Sequence, residues 1–358
     1  MIGALRLMLK QLDLSRVRLT SFILPVFVAS LLLLNTGCGL FGAKRKIQVP
    51  QLLTPLAEAN RNQLIQEVNR LSTVKSIHGK VDIQFEDTSF ASSGVADQYR
   101  LVDGTITLQR PGKIYLQIQF TFVDIAQMAS DGEHFSVAVL KGDEKYKRFV
   151  KGTNSAVYPR LDTAANHTTV KNDKQKQEKQ TVNALSNLRP QHLTDAFMIR
   201  PIEANGAYTY VQSEFFQEEP DSRPQAKKGV RVMRGYYLLE EISQAQTGDA
   251  KISRRFWFDR VAGIRLARVQ SYDDNGRVVT DVSYFNEKVI GSGTTASLPS
   301  RIEITRPQDQ YKLSMTYQDT MSVELNREYG PKAFVLENKW QLPEVDLDAQ
   351  NKKVTANQ

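Results

Sequence analysis

Apolar and polar residues change their period along this chain. Leu64, Val68 and Leu71 recur at helical spacing and form one stripe. Thr54 suits an N-cap, Pro55 the first helical position and Glu58 the positive helix end, so the pattern predicts a helix from there to about Ser72. From Ser76 the period becomes two. Ile77, Val81, Ile83 and Phe85 alternate with His78, Lys80, Asp82, Gln84 and Glu86, which predicts a strand with one buried face. Residues 86–103 read as a polar loop. A strand over 105–109, a turn at Pro111-Gly112, the run Ile114, Leu116, Ile118 and Phe120, a turn at Asp131-Gly132 and the run Phe135, Val137 and Val139 continue as an antiparallel meander.

The stretch from Asp162 to Gln180 is polar and rich in Lys and Gln, and reads as a solvated insertion near 162–182 or a surface helix. Leu185, Leu188, Leu193 and Phe197 then predict short helical pieces broken at Pro190. Strands rich in β-branched and aromatic residues resume over 208–214, 230–242, 251–259 and 263–272. Asp274-Asn275-Gly276 predicts a hairpin into 277–284, and 301–305 and 311–317 close the series. Residues 344–358 are polar and expected to fray as a flexible tail. The pattern is α+β: one large, strongly curved antiparallel sheet with helices packed on its concave side.

The N-terminus has a different character. Arg6, Lys10, Arg16 and Arg18 precede an apolar run from Leu19 to Leu34, followed by Asn35-Thr36-Gly37-Cys38-Gly39. A basic region, an apolar region and small residues before a cleavage point make a secretory signal over 1–37. Cys38, the chain's single cysteine, rules out an intramolecular disulfide. Its position after Gly37 resembles a bacterial lipobox, with Asn35 standing where Leu is usual. That resemblance implies lipid on the Cys38 thiol. Gly39 follows where inner-membrane lipoproteins commonly carry Asp, which implies the outer membrane, facing the periplasm. The alternative is a transmembrane helix with an incidental cysteine, for which the run is short and interrupted by Pro25. Residues 38–53 read as a tether and 54–343 as the folded domain.

Composition changes little in this picture. The 358 residues are 41% hydrophobic and 24% charged, as in a globular chain. The net charge of +8 spreads over the sequence, and no Lys/Arg run interleaves with aromatics as nucleic-acid binding would require. The four histidines, His78, His134, His167 and His192, stand at no metal-ligand spacing, and no Gly-x-Ser-x-Gly elbow, Walker loop or dinucleotide fingerprint occurs. No cofactor, metal or catalytic residue is expected. An envelope hydrolase with unrecognised residues is the third reading, behind a carrier and a scaffold.

Several strings resemble the LolA/LolB lipoprotein-carrier family. Val68-Asn69-Arg70-Leu71-Ser72-Thr73-Val74, then Ile83-Gln84-Phe85, is similar to the opening helix and first strand of those carriers. Residues 104–114, centred on Arg110-Pro111-Gly112, are similar to their strand, Arg-Pro, strand segment, and Ser130-Asp131-Gly132 to the turn that follows. Phe256-Trp257-Phe258-Asp259 and Leu298-Pro299-Ser300-Arg301-Ile302 resemble later strands. The likeness touches most of residues 60–340, and the insertion has no counterpart in it.

The resemblance implies an incomplete β-barrel around a hydrophobic cavity that holds acyl chains of lipids or lipoproteins, with a periplasmic carrier protein as a partner. Inward-facing Ile106, Leu108, Leu116 and Ile118 either line that cavity or simply pack a core. Arg110 stands where the arginine of soluble carriers bonds to the lid; its other reading is a solvated turn residue. Receptor members use an exposed apolar residue on a loop, and Phe122 falls in that region, although a buried strand end is the expectation for it. The leading reading is therefore a membrane-anchored, non-enzymatic acyl-chain binder in lipoprotein or lipid transfer. The alternative is a structural or protein-interaction lipoprotein with a filled interior.

Overall fold

The computed structural model describes residues 49–88, 97–98, 102–142, 144, 147–156, 158, 187–203, 206–223, 225–244, 248–261, 263–293 and 295–356. Cys38, the signal-like segment and the insertion at 162–182 lie outside the described residues. Strands dominate. In chain order they are β1 (Gln51–Leu52), β2 (Ser76–Asp87), β3 (Asp97–Gln98), β4 (Val102–Gln109), β5 (Lys113–Phe120), β6 (Val123–Asp131), β7 (His134–Val139), β8 (Arg148–Thr153), β9 (Tyr208–Pro220), β10 (Arg231–Gln244), β11 (Ala250–Asp259), β12 (Arg265–Tyr272), β13 (Val278–Val289), β14 (Ser297–Arg306), β15 (Tyr311–Tyr317), β16 (Glu324–Leu325) and β17 (Glu344–Asp346). The helices are α1 (Arg61–Ser72), α2 (Pro190–Phe197) and α3 (Leu347–Ala356).

Pairing runs β9-β10-β11-β12-β13-β14-β15-β2-β4-β5-β6-β7-β8-β17, antiparallel up to β8, with β17 added in parallel. β1, β3 and β16 extend β10 and β2 beyond the ends of their longer neighbours. The sheet is curved and open rather than closed. One face buries a continuous core, to which α1 contributes Leu64, Val68 and Leu71 and α2 contributes Leu193, Ala196 and Phe197.

Several local expectations change. The first helix begins at Arg61, not near Pro55, because Asn60 and Gln63 form a capping box: each side chain accepts the other's backbone N–H at 3.1 and 2.8 Å. The segment before it runs extended, with the Leu53 and Ala57 amides donating to the Met233 and Arg260 carbonyls at 2.9 and 2.7 Å. Pro190 starts α2 instead of breaking it; at the first helical position its missing N–H costs no helix bond. The residues after Pro343 do not fray through Leu347 and Asp348. β17 pairs with β8, Leu347 is buried, and the Asp348 carboxylate accepts from Thr153 Oγ1 at 2.9 Å and from the Tyr158 hydroxyl.

β6 and β8 carry no alternating signature, and the structure shows why. In β6 every residue from Ile125 to Ser130 is buried, so neither face is open to solvent, and polar Gln127 is bonded instead to Asp124 and Tyr115. The cover on the outer face is the C-terminal strap, residues 326–343. Gln109 donates to the Tyr329 carbonyl at 3.2 Å and accepts its amide at 2.7 Å, Phe334 is buried against β5 and β6, and the Phe149 amide donates to the Pro343 carbonyl at 2.9 Å. Ala129, Ala138 and Phe149 lie buried but outside the main core cluster, as residues of the strap-covered face.

Candidate functional site

The site is built from the segment that leaves α2. Met198, Ile199 and Ile202 are buried in the main core among side chains of the helices and the sheet. Its backbone carbonyls have no helical partners, and side chains from three separate elements take them. Arg110, at the β4–β5 turn, donates to the Met198 carbonyl at 3.1 Å and to the Ile199 carbonyl at 2.8 Å. Arg254 on β11 donates to the Arg200 carbonyl at 3.2 Å. Asn69 on α1 donates to the Ile202 carbonyl at 3.1 Å and accepts the Ile202 amide at 2.8 Å.

Arg110 also reaches the other helix. Its Nε donates to the Val74 carbonyl, just beyond α1, at 2.9 Å, while its own amide donates to the Lys75 carbonyl at 2.9 Å. One guanidinium thus ties the exits of both helices to the edge of the β4–β5 hairpin. Burial lowers its pKa from the ordinary arginine value; the group remains a donor-only fork, suited to carbonyls. Arg254 is held in turn by Glu241, at 2.8 and 2.5 Å, in a bidentate ion pair on the inner face of β10 and β11.

Beside Val74 lies a cleft of about 450 Å³ between the end of α1 and the loops flanking β12–β14. Val74, Ile264 and Leu298 are its apolar lining, beside charged Glu67, Arg265 and Glu287. Arg70 bridges its rim, donating to the Ser297 carbonyl at 2.6 Å and pairing with Glu287 at 2.9 Å.

The residues singled out from sequence fall as follows. Ile106, Leu108, Leu116 and Ile118 all face the main core and are buried; Ile106 opposes Leu116, and Gly104 opposes Ile118. Arg110 lies beside them at the turn rather than free in solvent. Phe122 is corrected: it is no buried strand end but 94% exposed, at the tip of the β5–β6 hairpin, well outside the core cluster. Phe120 pairs with Val123, so Thr121 and Phe122 form a two-residue turn, both at positive φ (47° and 65°). Such turns normally use Gly or Asn; a Thr-Phe pair there is a costly way to present an aromatic ring to solvent. Asn69 and Arg254 were not singled out. Arg254 shares the inward face of β11 with Phe256 and Phe258, and a charge in that register is the signal that marks it.

Among the described residues, no group of three or more His, Cys, Asp or Glu is placed to hold a metal ion. No described helix is long and apolar enough to cross a membrane.

No family model matches the chain, and no curated protein matches it. Similar solved structures include a LolA superfamily protein from Nitrosomonas europaea, 13% identical over 78% of this chain and 99% of that one, with a TM-score of 0.37. A DUF1329 family protein from Desulfovibrio piger is 11% identical over 76% and 95%, with a TM-score of 0.37. A domain described as an outer membrane lipoprotein-sorting protein, from Vibrio parahaemolyticus, is 13% identical over 78% and 97%, with a TM-score of 0.36. These are likenesses of the backbone, at identities too low to carry residue roles.

Proposed function

We propose that this chain is a non-enzymatic envelope protein, anchored by lipid on Cys38 to the outer membrane and facing the periplasm, that binds acyl chains of lipids or lipoproteins during their transfer. The supporting observation is the clasp on Met198–Ile202: Arg110, Arg254 and Asn69 hold an apolar segment over the interior through bonds to its backbone alone. Bonds to carbonyls are reversible, since water takes the same acceptors when the segment lifts, and each contributes about 1 kcal/mol net. A few acyl methylenes entering the interior, each favourable by about 0.8 kcal/mol, offset several such bonds. The cleft beside Val74, where Val74, Ile264 and Leu298 lie among charged Glu67, Arg70, Arg265 and Glu287, gives a chain an approach to the same place. The helices then act as a lid over the concave side of the sheet. The exposed Phe122 and Val123 at the hairpin tip suit contact with a bilayer or with a periplasmic carrier protein.

A second reading has its own observation. Ile106, Leu108 and Ile114 are fully enclosed in the same cluster as the helix side chains, which suits a filled interior and a scaffolding lipoprotein. One experiment separates the two. The full chain is purified in detergent, exchanged to a volatile buffer and weighed intact by native mass spectrometry, for the original chain and for Arg110→Leu. Transfer requires co-purified lipid in the original chain and at least about tenfold less in the variant, with Tm lowered by only a few degrees. Absence of lipid from the original chain favours the scaffold. Loss that merely follows unfolding removes Arg110 from the lid.

A further inference from the structure

The two edges of the sheet are unlike. β17 has 3 residues, and Glu344 and Asp346 on it pair with Lys151, which makes a short, charged edge of the kind that blocks strand addition. β9 has 13 residues and pairs, among the described strands, with β10 alone. It carries no lysine and no proline before its last residue. Val211, Phe215 and Phe216 on it are 44%, 40% and 45% exposed. An edge of this length, with these side chains exposed alongside Glu214, Glu218 and Glu219, is long enough to accept another strand.

We propose that β9 pairs antiparallel with β9 of a second copy of this chain, about a two-fold axis through Ser213. The sequence of the strand suits that register. With the axis at Ser213, Val211 opposes Phe215 of the second copy on the outer face, and Tyr210 opposes Phe216 on the inner face; each pair occurs twice by symmetry. Glu214 meets Gln212 and Glu218 meets Tyr208, so no two carboxylates oppose each other. Shifting the axis to Glu214 sets that carboxylate against itself, and shifting it to Phe216 sets Glu214 against Glu218. On the inner face, Arg61 donates to the Tyr210 carbonyl at 3.5 Å across a shallow surface groove. The groove, of about 490 Å³, lies between Asn60–Asn62 at the start of α1 and Tyr210–Gln212 on β9, beside the position where Phe216 of the second copy would enter. Glu214, Glu218 and Glu219 are also paired within their own chain, with Arg260, Arg231 and Arg234, which limits the charge repulsion along the joined strands.

Ser213 is exposed, so changing it tests the interface without touching the core. The full chain in detergent is compared with Ser213→Glu and Ser213→Lys by native mass spectrometry and analytical ultracentrifugation, with thermal unfolding as a control on the fold. The original chain should be dimeric. Each variant alone sets like charges against each other on the axis and should self-associate at least about tenfold more weakly. An equimolar mixture of the two variants should restore a dimer containing one of each. A monomeric original chain overturns the proposal, as does a dimer indifferent to both changes, or a mixture that stays monomeric.

Discussion

The β4–β8 half of the sheet and the β9–β13 half solve the same problem in opposite ways. Both bury their inner face against the helices and the long core. On the outer face of the first half, the strap lays Phe334 over β5 and β6, and Ala129, Ala138 and Phe149 are sealed from water. On the outer face of the second half there is no strap among the described residues. Tyr236, Leu238, Trp257 and Ala267 instead form a small cluster of their own, with Phe215 edge-on to Trp257 at 5.2 Å. Around it stand ion pairs: Arg234 with Glu219 and Asp259, Arg255 with Glu240, and Arg268 with Asp281. Arg268 stacks over the Trp257 ring at 5.1 Å, using its apolar stem and planar head as the cover. The contrast shows how one sheet can be shielded either by distant chain or by its own long polar side chains. The first is the stronger arrangement, because it removes apolar area from water. The second leaves its charges partly in solvent, where screening limits what each pair contributes.

The largest effect expected from this contrast is on the strap. Phe334→Ala empties a buried site on the outer face and should cost about 3 kcal/mol in denaturant unfolding. Hydrogen exchange should accelerate in β5–β8 first and leave β9–β13 close to its original protection. Equal loosening of both halves would show that the strap does not act locally.

A middle-sized effect sits between the halves. His192 at the start of α2 contacts the Tyr311 hydroxyl on β15 at 2.9 Å, and burial of its ring, with the charges of Arg306 and Arg189, holds its pKa well below the ordinary 6.5. The neutral ring is therefore favoured by folding, and protonation by unfolding. Its contribution is complete above about pH 6.5 and is lost as pH falls below that value toward the folded-state pKa. Thermal unfolding at about pH 7.5 and about pH 5.5 should show a fall in Tm for the original chain that His192→Gln makes shallower. An unchanged slope would assign the fall to other groups.

The smallest effect is expected on the bare half. Asp281 accepts from Arg268 Nε at 2.6 Å and from Gln270 at 3.2 Å, but the Arg268 side chain is 31% exposed. Asp281→Asn should cost less than about 1 kcal/mol, and less still in high salt. A cost matching that of Phe334→Ala would erase the distinction between the two covers.

The chain itself determined the elements whose signals are local. Alternation at Ile77–Phe85 and Ile114–Phe120, the turn at Asp274-Asn275-Gly276, and the stripe Leu64, Val68, Leu71 follow from side-chain period and turn chemistry, and each falls inside the observed element or at its turn. Tertiary structure alone decided the rest. β6 lost its alternation because the strap, some two hundred residues further on, buries its second face. Asn60 outcompeted Thr54 as the helix cap because residues 53–57 were already committed to the ends of β10 and β11. Arg110 stood out in the sequence, but Asn69 and Arg254, which share its acceptor segment, did not. Period and spacing describe a residue's neighbours along the chain, whereas a clasp is made of residues that become neighbours only when the sheet curves and the segment after α2 descends onto it.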